Sequence, residues 1–365
     1  MAKSHGSMEP NEKTLNRRRE AGDGFRAAYL RTITSRSHDF FSAPTHEDYY
    51  AEYLFIESWA KTVSDGMLCG NLDGLHHITS AMSSNNESSY HIGFKKGTIK
   101  LFELRNVSTC LQYLLPTLKS QPPTFSLLDV GCGPGSITLD LARRFPQAKI
   151  IGVDQSAEVT DRNRASVEAL APNTRVEFRQ GDVLKPETFL TPEEMQTKFD
   201  VVHEHTTLIC IPENAPVLKK MRTLAKPNGG IVACRDGDTQ SQVLWPPCPE
   251  NAELQERIYR MNGLETQTGR QLIHKALAAG FRRDQITASA SVLSNITPEE
   301  RFAYAGSMLD ILADENSEYR QAAAKFGYTA EQIDVLRANM QRFINAEDGW
   351  RLLICTEIIC RLDEV

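Results

Sequence analysis

Two carboxylates, three glycines and two histidines stand in this chain at spacings that could do chemistry. Asp129 lies two residues ahead of Gly131-Cys132-Gly133-Pro134-Gly135, and Asp154 ends the next apolar run. Glycines so spaced let a backbone approach a ligand with no side chain between, and an acid at the end of the following strand can accept hydrogen bonds from both hydroxyls of a ribose. Asp182 follows a third apolar segment. His203 and His205 alternate in a fourth, where an imidazole can take up a proton near neutral pH. Together these residues suit a ribose-bearing ligand held beside a proton acceptor.

The elements that must position them are legible around the turn. Leu127–Val130 reads as a short buried strand, Ser136–Phe145 as a helix with apolar spacing, and Ala148–Asp154 as a second strand. Strand, glycine turn, helix, strand and acid make the first half of a nucleotide-binding α/β fold. Charge then selects the ligand. A dinucleotide brings a dianionic pyrophosphate and favours G-x-G-x-x-G with no acid beside the turn. Here the spacing is G-x-G-x-G with Asp129 next to it, which suits a cation. S-adenosylmethionine has no phosphate, carries a sulfonium and an ammonium, and offers a ribose to Asp154. At these residues the chain resembles the class I S-adenosylmethionine-dependent methyltransferases.

The resemblance implies a Rossmann-like seven-stranded α/β sheet whose last strand is antiparallel, and S-adenosyl-L-methionine as cofactor. It implies that Gly131, Gly133 and Gly135 floor the site, Asp129 stands near the ammonium, Asp154 with Gln155 takes the ribose, and Asp182 with Val183 meets the adenine. A narrower likeness covers residues 90–365 and points to the ubiquinone/menaquinone-biosynthesis-like small-molecule methyltransferases. It is carried by Leu101–Asn106, Pro212–Pro216, Met221–Asp238, Gly269-Arg270 and Asp348-Gly349-Trp350. In that group an Arg shortly before the core faces the cofactor carboxylate, and Arg105 matches it by position. The chain departs from the group at His203-Glu204-His205-Thr206-Thr207, where relatives carry a Gln-His-Leu type sequence.

Strands are expected near 125–130, 149–154, 175–179, 199–204, 229–235, 285–293 and 350–360, with helices at 213–225 and 268–279, the latter closed by Gly280. A helix over 99–115, stopped by Pro116, leads into the core. Residues 1–21 read as a tag remnant and mobile tail, and 22–89 as a helical extension or lid with its clearest helix at 48–59. Residues 90–365 then form the cofactor domain, with cap insertions at 237–266 and 297–348; the second opens on the capping sequence Thr297-Pro298-Glu299-Glu300.

Composition narrows the class. Forty-one Lys+Arg against 47 Asp+Glu give a net charge of −6, which argues against a general nucleic-acid binder. No apolar run approaches the roughly 20 residues that span a bilayer, and no signal peptide opens the chain. The eight cysteines are scattered without C-x-x-C, as reduced thiols of a cytoplasmic protein would be, and no metal site is expected. The reading is a methyltransferase acting on an oxygen or nitrogen of a small, specialised metabolite. His205 is expected as the base, with His203 beside it as a further catalytic and cofactor-side residue, and His76-His77 in reserve. A cyclase or pericyclase that binds the sulfonium without transferring methyl is the alternative. The N-terminal extension is a candidate homodimer surface.

Overall fold

The computed structural model describes residues 104–363, which fall within one unit of the chain, Asn86–Val365. The tail, the 22–89 extension, the 48–59 helix, His76, His77 and the homodimer surface expected there lie outside the described residues.

Five strands run parallel in the order β3-β2-β1-β4-β5: β1 (Ser126–Val130), β2 (Lys149–Asp154), β3 (Arg175–Gln180), β4 (Val201–His205) and β5 (Ile231–Gly237). Three more follow, β6 (Val243–Trp245), β7 (Ile286–Asn295) and β8 (Trp350–Arg361). β8 pairs antiparallel with β5 along one edge and with β7 along the other, and its antiparallel direction is the one the family resemblance implies. The short β6 is an addition to the expected strands, pairing with Trp350, Arg351 and Leu352 from within the 237–266 insertion.

The period-2 alternation of the strands sorts residues to two faces. Leu127, Ile150, Val201 and Ile231 share one hydrophobic cluster with α1 (Val107–Cys110), α2 (Leu115–Lys119) and α3 (Ser136–Arg144). Leu128, Val202 and Val232 share the other with helices α6 (Ala215–Leu224) and α8 (Thr268–Ala278). Two further helices, α4 (Ala157–Leu170) and α5 (Pro192–Thr197), connect β2 to β3 and β3 to β4. Gly280 follows α8 with φ +94, the left-handed conformation that ends helices.

One expected element differs. The described part of the 99–115 helix is broken: Asn106 caps a new four-residue helix in a reciprocal capping box with Thr109. Pro116 does not stop a helix but sits in the first turn of α2, where its missing N–H costs nothing.

Helices α7 (Pro249–Met261), α9 (Pro298–Ala313), α10 (Glu318–Lys325) and α11 (Ala330–Asn345) come from the two insertions. They bury Leu254, Ile258, Ile311, Leu312, Tyr319 and Leu336 against one another in a core of their own. The Thr297–Glu300 capping box forms as its sequence predicts. Ile209, just past β4, packs with Tyr259 and Leu264, so this helical body touches the strand ends directly.

Candidate active site

All three glycines of the turn after β1 have positive φ, +67 at Gly131, +50 at Gly133 and +76 at Gly135, but for different reasons. A Cβ on Gly131 would stand 2.3 Å from Thr207, and one on Gly135 would stand 2.8 Å from Phe178. These two let protein pack against the turn. Only at Gly133 would a Cβ meet nothing within 4 Å, so the floor on which a ligand can lie is narrower than the expected three glycines.

Asp154 faces this turn. Its Oδ2 accepts the Gly133 N–H at 2.9 Å and its Oδ1 the Ser156 N–H at 3.0 Å. Burial pushes its carboxyl above the usual range, opposed by those two N–H groups. Each oxygen keeps a second lone pair, so the carboxylate is aimed and still able to accept from a diol. Asn163 holds the Gly133 carbonyl from behind at 2.7 Å. An open backbone beside an anchored acid fits the ribose and methionine portions of S-adenosylmethionine. Gln155 is exposed, Val183 is buried, and Asp182 accepts the Leu184 N–H at 2.9 Å.

Asp129 is placed otherwise than expected. It is 3% exposed, and both oxygens are engaged: the Thr138 hydroxyl donates to Oδ2 at 2.5 Å, and His203 Nδ1 lies 2.7 Å from Oδ1. Strand register explains the pairing, since Asp129 of β1 stands opposite His203 of β4 on the same face. A carboxylate only accepts, so Nδ1 carries the hydrogen, and in the neutral imidazole Nε2 then keeps its lone pair. That Nε2 is buried with no hydrogen-bond partner.

His205 shares the face, as expected, and is 7% exposed with neither ring nitrogen partnered. Burial, then the charges of Arg105 and Arg235, push it well below the ordinary histidine range. It is therefore neutral and resists taking up a proton. Arg105, expected at the cofactor carboxylate, acts electrostatically on His205 and Asp236 at the β4–β5 end.

Sequence reasoning assigned no role to Glu204, Arg235 or Glu357. Glu204 points to the other face and accepts the Thr207 N–H at 3.0 Å, while Asp236 accepts those of Ile209 and Gly237. Together they pin the loop that carries Thr207 against the glycine turn, where its hydroxyl donates to the Val130 carbonyl. Burial raises both carboxyls, Glu204 well above its usual range and Asp236 to about 7. Asp238 pairs with Arg270 and accepts the Gln240 N–H. The available signal was a charge inside an apolar strand run, which buried strands rarely carry without purpose.

Sequence comparisons match this chain to methyltransferases. A family model described as a methyltransferase domain matches residues 123–279. An uncharacterized methyltransferase of Schizosaccharomyces pombe is 31% identical over 194 residues, 51% of this chain and 66% of that protein. A probable methyltransferase, ltbC, of Aspergillus luteorubrus is 27% identical over 285 residues, 73% of this chain and 95% of its own. The match thus spans just under two thirds of the first relative and nearly all of the second. A solved structure of a Haemonchus contortus phosphoethanolamine N-methyltransferase bound to S-adenosylhomocysteine aligns with TM-score 0.43 at 15% identity, over 69% of this chain and 52% of that one.

Proposed function

We propose, for a chain that belongs to the class I S-adenosylmethionine-dependent methyltransferases, that it methylates an oxygen or nitrogen of a small, specialised metabolite with His203 as general base. The observation that carries this reading is the buried Asp129–His203 pair at 2.7 Å, one residue short of the end of β1, with Nε2 unpartnered.

S-adenosylmethionine supplies, when bound, a methyl group already activated by the sulfonium. The protein's work is then alignment, exclusion of water and movement of one proton. Gly133 and Asp154 would hold the ribose side, and Asp182 the adenine side. A hydroxyl nucleophile gives its proton to His203 Nε2, and its electron pair forms the bond to the methyl carbon. The bond broken would be that between methyl and sulfur, its electron pair leaving with the thioether. Asp129 holds the ring in the tautomer that leaves Nε2 free to accept and offsets the positive charge that it gains, as a carboxylate behind a histidine does in acyl transfer. The helical body built from both insertions would cover a bulky substrate, because α7 gives Leu254 and Ile258 to that body's core and Tyr259 to a separate cluster with Leu264 and Ile209 beside β4.

Methyl-labelled S-adenosylmethionine offered with a panel of phenols, enols, amines and carboxylic acids tests the reading. Transfer of label with equimolar S-adenosylhomocysteine is the expected outcome. Tight binding of the cofactor with none of it consumed across the panel would sink methyl transfer while sparing the binding site. Gly133→Val should abolish that binding, since its side chain would fill the one open place in the turn.

A further inference from the structure

Beyond His203 the same face of the sheet continues as a row of buried polar residues. His205 of β4 stands opposite Arg235 of β5, and Arg235 opposite Glu357 of β8. Arg235 is 1% exposed. Its Nε donates to Ser291 Oγ at 3.1 Å and lies 3.3 Å from Glu357 Oε1, yet its Nη1 is buried without a partner. Glu357 does not turn away to supply one, because the hydroxyls of Ser289 and Ser291 donate to its two oxygens at 2.6 and 2.5 Å. Tyr113 Oη is likewise buried and unpartnered, and burial, then the neighbouring Cys234, Glu204 and Glu357, push its hydroxyl well up, with Arg235 opposing. Protein interiors leave few polar atoms in this condition, and several in one layer mark a place where something else supplies the partners.

We infer that this row receives a phenol or enol hydroxyl, with Arg235 Nη1 donating to the oxyanion formed as His203 Nε2 takes the proton. The inference rests on the methyl-transfer reading above and narrows it from oxygen or nitrogen to oxygen. Arginine donates only and never loses its charge, whereas the free Nε2 only accepts. A group that surrenders a proton on one side and gains negative charge on the other satisfies both. An amine does the opposite, since its nitrogen becomes positive as it is methylated, beside a cation whose field already reaches His205. A carboxylic acid is ionised before it arrives and has no use for His203. Glu357, held by its two serines, offsets the burial of Arg235 without competing for the substrate.

The test uses the full chain with S-adenosylhomocysteine added and 4-nitrophenol as the probe, because its ionised form is read directly by absorbance. Bound 4-nitrophenol should titrate at least about tenfold more acidic than the free phenol, one pH unit, and Arg235→Gln should erase that shift. Tyr113→Phe removes an unpartnered hydroxyl and should weaken binding less. Benzoate and 4-nitroaniline, which match its size with a carboxylate or an amine, should bind more weakly. The inference is overturned if 4-nitroaniline binds as tightly, if the bound phenol titrates like the free one, or if no saturable binding occurs and the row holds water only. Should R235Q fail to fold, Arg235→Lys keeps the charge and should retain part of the shift, and the wild-type comparison of phenol with aniline decides alone. Calorimetry with S-adenosylmethionine separates the two levels: a wild-type chain that binds no cofactor defeats the methyl-transfer reading, whereas normal cofactor affinity with an unshifted phenol defeats only this one.

Discussion

The two halves of the sheet solve different problems with different materials. In the β1–β3 half the carboxylates past the strand ends answer to nearby backbone: Asp154 to Gly133 and Ser156, Asp182 to Leu184. Shape dominates there, and the one open glycine is Gly133. In the β4–β5–β8 half, His203 answers to Asp129 and Arg235 to Glu357 across strands, leaving His203 Nε2, His205 and Arg235 Nη1 without partners. A pocket that must bind one fixed cofactor can be built from backbone. One that must move a proton needs buried groups whose pairing sets which nitrogen is free.

Breaking the second half should cost the most. His203→Ala is expected to lower turnover by roughly 10²–10⁴-fold while cofactor affinity in calorimetry stays nearly intact. A larger loss in His205→Ala than in His203→Ala would return the base to His205 and remove the tautomer argument.

The helical body belongs to neither half, and its core can be loosened separately. Leu254 is fully buried between α7 and its neighbours, so Leu254→Ala should cost about 2–5 kcal/mol of that body's stability. Amide exchange should rise across α7, α9, α10 and α11 before it rises in β1–β5. Uniform loss of protection would show that the cap and the sheet unfold as one.

The first half should yield more gently at its acid. Asp154→Ala is expected to weaken S-adenosylmethionine binding by about 1–3 kcal/mol through lost charge-assisted hydrogen bonds. Unchanged affinity would place the ribose elsewhere and leave the open glycine without its partner.

The smallest effect sits behind the first half and concerns pH. Burial alone would raise the Glu194 carboxyl, but bonds from Arg179, Lys149 and the Thr191 N–H outweigh it and hold the group at about 2. A carboxylate depressed in the folded state adds stability above its unfolded value, about 4.5, and that contribution fades as pH falls toward 2. Glu194→Gln should therefore lower the melting temperature at neutral pH, and the gap from wild type should close across that acid window. A gap that persists unchanged at pH 2 would assign the loss to packing.

Much of this molecule could be read before any coordinates. The glycine turn, the acid after β2, the seven expected strands and the start of α9 at Thr297 all depend on backbone preferences and side-chain periodicity within a few residues, which a linear chain displays openly. So did the identity of the cofactor, which followed from an acid beside closely spaced glycines. Other features were hidden for a single reason. Asp129 and His203 are 74 residues apart, and Arg235 and Glu357 are 122 apart. Nothing local in either member names its partner. Parallel register brings the first pair together and antiparallel register the second, and those pairings seat Asp129 against a buried imidazole and Arg235 against a buried carboxylate. The shared core of the two insertions is concealed in the same way, because each segment shows its own apolar stripe but not the surface that covers it. Which nitrogen carries the proton is settled by contacts across the sheet, since burial strengthens a neighbour's charge over distances that no sequence spacing records.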